Sequence, residues 1–391
     1  MDPLHFALAA LAWLAGAALF VPLAYSVALF VYGRSVPSPD PPRASGAPTV
    51  TAVVASLAPS RALDATLRRL AAVDYPALDV AVALGGPAQV AQPEGRPVTV
   101  LHSPGWGKAR ALNYALKEAR SRYVLVLDED SLVDPDCIDR LIPLAEEPGT
   151  WAVVGVPYAS NADAGPLQRT LALEAEAWGA AARAKDRLGL FIPATGFFSL
   201  MSVEALRGGG EVWDEGALAE DADLSLRQRA RGLRTRLAAA RVGIEAPGSV
   251  GALARQRLRW YRGMLDASWK NRRAVAGLPP KDALDVSLTL LSPLSPAAFV
   301  LSLLFVPAWP LILGPVLAAT VVMYMLSAWA ASSKLRRGRL GVVLFSPLYA
   351  VLQGGVALAA LASFLLRVRV GWERTPKAGD YPQEPNRPGG R

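Results

Sequence analysis

The run Leu125-Val126-Leu127-Asp128-Glu129-Asp130 carries an apolar stretch into two carboxylates spaced one residue apart. On a strand, residues i and i+2 share a face, so Asp128 and Asp130 would stand together at its carboxyl end. Hard divalent cations such as Mg2+ and Mn2+ take one or two protein carboxylates and complete their shell with phosphate oxygens and water. A cation held this way can neutralise a departing diphosphate. Alone, the triplet reads equally well as a solvated turn.

Three further stretches accompany it. Gly107-Lys108-Ala109-Arg110-Ala111-Leu112-Asn113 opens a helix and offers backbone N–H groups and one cation to a phosphate. Ala219-Glu220-Asp221-Ala222-Asp223-Leu224 begins a helix ending near Gly232; acidic residues in a first turn usually complement the helix dipole. Gln256-Arg257-Leu258-Arg259-Trp260 reads by itself as an amphipathic interfacial helix with snorkelling arginines.

The elements that must position these residues follow from periodicity. β-branched and aliphatic runs at 49–57, 80–84, 97–101, 123–127 and 151–156 predict buried strands, with helical spacing at 62–73 and 109–119 between them. Strands alternating with helices predict an α/β, doubly wound and mostly parallel sheet. Ligands bind such sheets beyond the carboxyl ends of the strands, where Asp128 falls.

Composition narrows the chemistry. Cys137 is the only cysteine, and His5 and His102 are the only histidines. That excludes a disulfide framework, a thiolate metal cluster, histidine-based zinc chemistry and a Ser-His-Asp triad. The 391 residues are 52% hydrophobic with a formal charge of +8. No basic run is interleaved with aromatics, so nucleic acid is not an expected partner. Much of the arginine instead flanks long apolar segments.

Residues 4–32 carry no charged side chain and are long enough to span a bilayer core of roughly 30 Å. Arg34 and Arg43 follow, which places that end in the cytoplasm by the positive-inside rule. The expected organisation is a transmembrane helix over 1–32, a proline-rich linker over 33–47 and a cytoplasmic catalytic domain over 48–275. Membrane helices then occupy 276–366 and a cytoplasmic tail 367–391. Crossings are expected at 5–31, 286–308 and 311–333. Segment 341–366, interrupted by Pro347, Gly354 and Gly355, suits a broken or interfacial helix and is expected to lie in the interface or re-enter.

Taken in order, these motifs resemble the inverting glycosyltransferases of family 2, in the membrane branch related to cellulose and hyaluronan synthases. Within it the chain is similar to crenarchaeal membrane mannosyltransferases of reduced cellulose-synthase-like fold. Thr195-Gly196 resembles the family's acceptor loop, and Trp372-Glu373-Arg374-Thr375-Pro376-Lys377 its gating loop. The resemblance covers about residues 48 to 377 and implies a GT-A-type nucleotide-sugar-binding domain joined to an α-helical transmembrane domain.

The resemblance also implies roles. Asp128 and Asp130 would bind Mn2+ or Mg2+, with Asp130 as the direct ligand. Asp221 would be the general base. Lys108, Asp128, Glu129, Gln256 and Arg259 would contact the nucleotide-sugar. Thr195, Gly196, Glu220 and Trp260 would face the acceptor, and Trp372, Thr375 and Lys377 would gate the site. Two departures stand out. Ala83-Leu84-Gly85-Gly86-Pro87 replaces the family's acidic base-reading turn, and Ala58-Pro59-Ser60-Arg61 replaces its first-strand signature. The resemblance therefore leaves the base unassigned and favours GDP-mannose over an assumed UDP donor. The expected acceptor is a polyprenyl or dolichyl phosphate, or another lipid-linked acceptor, at the cytoplasmic face of the cell membrane, and the expected end use is glycolipid or N-glycan precursor synthesis. A processive polysaccharide synthase and a non-catalytic glycan-binding relative are the alternatives; product length and donor hydrolysis separate them.

Overall fold

Short aliphatic runs buried on both faces build the sheet that carries the acidic motifs. In the computed structural model of the protein, residues 3–39, 46–86, 88–105, 107–210, 212–292, 295–305, 310–332, 339–371 and 375 are described. In chain order the elements are α1 (Pro3–Ser35), β1 (Val50–Ser56), α2 (Arg61–Ala71), β2 (Leu78–Leu84), β3 (Val98–His102), α3 (Lys108–Glu118), β4 (Tyr123–Asp128) and β5 (Leu132–Val133). Next come α4 (Cys137–Ala145), β6 (Thr150–Ala159), α5 (Pro166–Leu188), β7 (Phe198–Ser202), α6 (Val203–Arg207), α7 (Glu220–Ala230) and β8 (Arg234–Ile244). The chain ends with α8 (Val250–Lys270), α9 (Arg272–Ala276), α10 (Pro280–Leu291), α11 (Ser295–Phe305), α12 (Pro310–Ala331) and α13 (Arg339–Leu365). Two compact units interleave in sequence. One is Met1–Pro37, Gly165–Phe191 and Ser249–Thr375; the other is Ser38–Ala164, Ile192–Gly248 and Pro376–Arg391.

The second unit holds one eight-stranded sheet in the order β3-β2-β1-β4-β7-β6-β8-β5. β3, β2, β1 and β4 run parallel, as the sequence predicts. Beyond them the sheet is mixed, with β6 and β8 also parallel. β7 is antiparallel to both β4 and β6, and β5 is antiparallel to β8. The reversal matters for the site. In an antiparallel pair the start of one strand lies beside the end of the other, and Phe198 pairs with Leu127. The 195–197 loop that enters β7 is thereby set next to Asp128.

Val54, Leu125, Leu127 and Phe198 are fully buried in the core between these strands and their helices. Truncating one such side chain to alanine costs about 2–5 kcal/mol. Gly155 on β6 has no substitute, since a Cβ there would meet the Phe198 ring and the Ala240 carbonyl. Helix α2 starts where Ser60 accepts the N–H of Leu63 at 3.1 Å, an N-cap that spares an orphan donor.

The first unit is helical. Residues Leu313–Ala331 of α12 and Leu340–Leu365 of α13 are each long and apolar enough to cross a bilayer. α10 and α11 reach that length only together, with a 57° bend between them. The expected single crossing at 286–308 is thus bent, and its last residues, 306–308, lie outside the described residues. Of the broken and interfacial forms expected for the last apolar segment, the broken one is not found: α13 runs unbroken through Pro347, Gly354 and Gly355. Gly354 instead serves contact, since a Cβ there would strike the Pro296 carbonyl of α11. A buried cluster ties α1, α5 and α10 together. Lys185 Nζ lies 2.6 Å from both Asp285 Oδ1 and Thr289 Oγ1, and Tyr25 donates its hydroxyl to the same carboxylate.

Candidate active site

β4 delivers Asp128 to the carboxyl end of the parallel strands, paired in register with Ala55 of β1. Helix α3 begins at Lys108, after Gly107 at φ 126°, a backbone setting that favours glycine. The Lys108 ammonium reaches across to Asp128 Oδ1 at 2.5 Å, Glu220 Oε1 at 3.5 Å and the Gly196 carbonyl at 3.2 Å. Gly196 in turn donates its backbone N–H to Asp221 Oδ2 at 3.1 Å, and Ala222 donates to Asp221 Oδ1 at 2.8 Å. Residues from three separate segments therefore converge on one ammonium. A Cβ at Gly196 would collide with that ammonium and push it aside.

Burial alone would lower the Lys108 pKa, but the carboxylates of Asp128, Glu220 and Asp221 outweigh it and hold the ammonium well above its ordinary value. Burial pushes the Glu220 carboxyl up; Lys108 opposes that shift, and Asp221 and Asp128 add to it. One cation thus faces three acids, and the cluster is built to attract further positive charge.

Glu129 turns inward. Its Oε2 accepts from the Ser56 hydroxyl at 2.6 Å and its carbonyl from the Thr66 hydroxyl at 2.8 Å. Asp130 is buried, with Oδ2 accepting the Glu245 N–H at 3.1 Å. Asp128, whose side chain is 37% exposed, is the more open of the two strand-end aspartates. Among the described residues no group of three or more His, Cys, Asp or Glu is arranged to hold a metal. Two hard carboxylates at one strand end still fit Mg2+ or Mn2+, whose remaining positions go to substrate phosphate and water.

Thr195 is also turned inward, its hydroxyl 3.2 Å from the Phe198 carbonyl. Gln256, Arg259 and Trp260 lie on α8 in the helical unit, where Arg257 stacks 4.5 Å over the Trp260 ring. Thr375 is described, whereas Trp372 and Lys377 lie outside the described residues.

Sequence reasoning missed several supports of the site. Ser131, fully buried, accepts the Asp128 N–H at 3.2 Å and donates to the Phe197 carbonyl at 2.6 Å, joining the acidic turn to the β7 loop. Asn113, the last residue of the Gly107–Asn113 stretch, exchanges two hydrogen bonds with the Trp213 backbone. A serine directly after Asp-Glu-Asp was the available signal for the first. The second partner, 100 residues away, had none.

Comparison with known proteins agrees with this geometry. The mixed sheet and its flanking helices are a GT-A-like glycosyltransferase fold. A mannosyltransferase from Pyrobaculum calidifontis, solved in complex with GDP-Man and Mn2+, superposes with a TM-score of 0.61 at 18% identity, over 92% of this chain and 99% of that one. The family described as Glycosyl transferase family group 2 matches residues 123–333, more than half of the chain. The chain belongs to that family. The match begins at β4 and takes in the strand-end aspartates, the Thr195-Gly196 loop, Glu220, Asp221 and the α8 motif. Curated relatives include the poly-beta-1,6-N-acetyl-D-glucosamine synthases of Staphylococcus aureus strain COL, 32% identical over 160 residues, and Staphylococcus epidermidis, 30% identical over 168 residues. Either match spans 40% of this chain and 38% of the relative's length.

Proposed function

We propose that this family 2 glycosyltransferase performs a metal-dependent, inverting transfer of one sugar from a nucleoside diphosphate sugar to a lipid phosphate or lipid-linked acceptor at the cytoplasmic membrane face. The observation that carries the reading is the convergence of Asp128 and Asp221 on Lys108 and Gly196. It sets an acidic strand end suited to a cation and diphosphate beside an acid suited to proton transfer. Mn2+ or Mg2+, held by Asp128 and Asp130, would supply charge neutralisation to the leaving diphosphate. Lys108 adds a fixed cation on the same side. Asp221, both of whose oxygens are oriented by backbone N–H groups, takes the proton of the attacking acceptor. A single displacement needs one such base and no covalent intermediate, so the anomeric configuration inverts. GDP-mannose is the favoured donor, supported by the motif resemblance and by the ligand of the Pyrobaculum calidifontis enzyme.

For the membrane arrangement we favour α1, the α10–α11 pair and α12 as crossings, with α13 in the interface. Two contacts support this. Arg34, at the end of α1, donates to the Ala330 carbonyl at the end of α12. Beyond the other end of α13, the Val368 carbonyl accepts from Arg262 of α8 at 2.8 Å. The first contact holds the end of α12, which precedes α13, beside the end of α1, and the second ties the chain just beyond α13 to α8, both on the side assigned to the cytoplasm. Its exposed stripe of Leu340, Leu344 and Leu348 suits a helix lying against lipid.

A processive polysaccharide synthase is the second reading, favoured by the 32% identity with the synthase from Staphylococcus aureus. Purified protein in nanodiscs with GDP-mannose, polyprenyl phosphate and Mn2+ separates the two. We expect addition of a single sugar, abolished by EDTA and restored by Mn2+ or Mg2+. Full turnover in chelator would sink the metal assignment, and long polymer from a UDP-sugar would replace this reading with the second.

A further inference from the structure

Three consecutive backbone N–H groups of the chain entering β7 are taken up by side chains of α7 and β7. Ala194 donates to Ser225 Oγ at 2.9 Å, Thr195 to Ser199 Oγ at 2.9 Å and Gly196 to Asp221 Oδ2 at 3.1 Å. Asp221 has its role in the proposed reaction; the two serines have none so far. Ser199 and Ser225 are 0% and 1% exposed, so neither can touch a substrate directly. Each hydroxyl works twice. Ser199 Oγ also donates to the Thr195 carbonyl at 2.7 Å, and Ser225 Oγ to the Asp221 carbonyl at 2.6 Å. One hydroxyl oxygen can give and accept at the same point, which an alanine cannot replace.

The Ser199 bond fixes more than the atom it touches. The Thr195 carbonyl and the Gly196 N–H belong to one peptide group, and the described peptide bonds are all trans. In a planar trans peptide the C=O and the N–H point in opposite directions. Pinning the carbonyl on Ser199 therefore aims the N–H, and it points at Asp221 Oδ2. Without the pin this peptide is free to turn over, because the glycine that follows it accepts either sign of φ. Turned over, it would set a carbonyl oxygen where the Asp221 carboxylate now finds a donor.

Ser225 sets the spacing between the loop and the helix. It lies one turn beyond Asp221 on α7, and its hydroxyl joins the Asp221 carbonyl to the Ala194 N–H. The first turn of α7 is thus tied to the loop at two levels, through the backbone of Asp221 and through its carboxylate. Ala194 is itself buried, so removing the Ser225 hydroxyl would strand its N–H away from water.

We infer that Ser199 and Ser225 are positioning residues of the transfer reaction: they hold the Thr195–Gly196 peptide so that its N–H orients the Asp221 carboxylate for proton removal. This rests on the reading of Asp221 as the base. A serine that served the fold alone would change the melting temperature and leave turnover well below it untouched.

Hydrogen exchange of the full chain in nanodiscs, resolved to single amides, reads the loop without any substrate. Ser199→Ala should speed exchange at Gly196 about tenfold, the worth of about one buried hydrogen bond, although the partner of that amide is unchanged. Ser225→Ala should do the same, and it keeps the test open should Ser199→Ala not fold. Unchanged exchange at Gly196 in the folded alanine variants overturns the proposal.

Turnover is then measured with GDP-mannose, polyprenyl phosphate and Mn2+. Each alanine variant should lower kcat about 10²-fold, the cost of a small misplacement, with affinity for GDP-mannose unchanged. Ser199→Thr, which restores the hydroxyl, should recover part of the loss. Leu141→Ala, which truncates a fully buried side chain of α4, should lower the melting temperature and keep wild-type kcat. In an Asp221→Asn background Ser199→Ala should cost nothing further, because residues that act as a unit are not additive. Wild-type kcat in the alanine variants, or a loss that adds in full to that of Asp221→Asn, overturns the proposal. Wild-type kcat in Asp221→Asn alone removes the base reading instead. Fast exchange at Gly196 would then still show that the serines hold the peptide.

Discussion

The backbone N–H of Gly196 lies 3.1 Å from Oδ2 of Asp221, so the proposed base is aimed by the loop that enters β7. The same glycine leaves room for Lys108. A Cβ on it would meet Lys108 Nζ and stand 3.6 Å from Asp221 Oδ2. The far end of a lysine can swing aside, so Gly196→Ala should fold and shift the melting temperature little. It should lower turnover by about 10²-fold, since small misplacements of reacting groups carry that cost. Steady-state kinetics beside a melting curve checks this, and wild-type turnover would remove Lys108 and Gly196 from the catalytic arrangement.

Asp221→Asn should retain donor binding and lose transfer, because an amide cannot accept the acceptor's proton. Loss of a general base costs about 10²–10⁴-fold in rate. The size of the defect also reports on the acceptor. A lipid phosphate is already anionic and needs little deprotonation, so a mild defect points to phosphate and a severe one to a sugar hydroxyl. If the variant folds but no longer binds donor, Asp221 is not the base.

Lys108→Gln should produce a stability defect that depends on pH. Lys108 is held above its ordinary value, so the stability it contributes is fully present below about pH 10.4 and is lost only above that. Glu220 is raised chiefly by burial, so its ionised form costs stability at higher pH, and this cost fades as protonation sets in. Removing the ammonium deletes the attraction that opposes the Glu220 shift. The melting-temperature difference from wild type should therefore be larger at pH 8 than at pH 5. A difference that stays constant across that range would refute the coupling.

Depth measurements decide how α13 meets the bilayer. Fluorophores on Leu344→Cys and Leu365→Cys, read by lipid-borne quenchers, should report the same shallow depth if the helix lies in the interface. If it spans, the 21 positions from one to the other separate the two by about 30 Å along the axis. The native Cys137 does not interfere, being fully buried with its thiol pushed up by burial and so held neutral. Unequal depths would overturn the three-crossing arrangement.

Much of this protein is legible without coordinates, and for local reasons. The parallel strands β1 to β4 announce themselves because strands buried on both faces must be continuous aliphatic runs. Asp128 could be placed at a strand end because the apolar run stops there. The apolar helices were visible because a bilayer demands length and uniform apolarity.

The remainder depended on partners far apart in the chain. Nothing in Phe198–Ser202 states that β7 enters the sheet reversed between β4 and β6, because a five-residue apolar strand satisfies either direction. α13 keeps its helix through Pro347 because packing against α8 and α11 overrides local propensity. Asp128 and Asp130 share a spacing that treats them alike, yet only the fold decides that Glu245 covers Asp130 while Lys108 meets Asp128. The sequence by itself determined which residues can do the chemistry. The tertiary structure decided which of them meet, because the ammonium of Lys108 finds its carboxylates 20 and 112 residues away only when the reversed β7 sets the Gly196 loop between them.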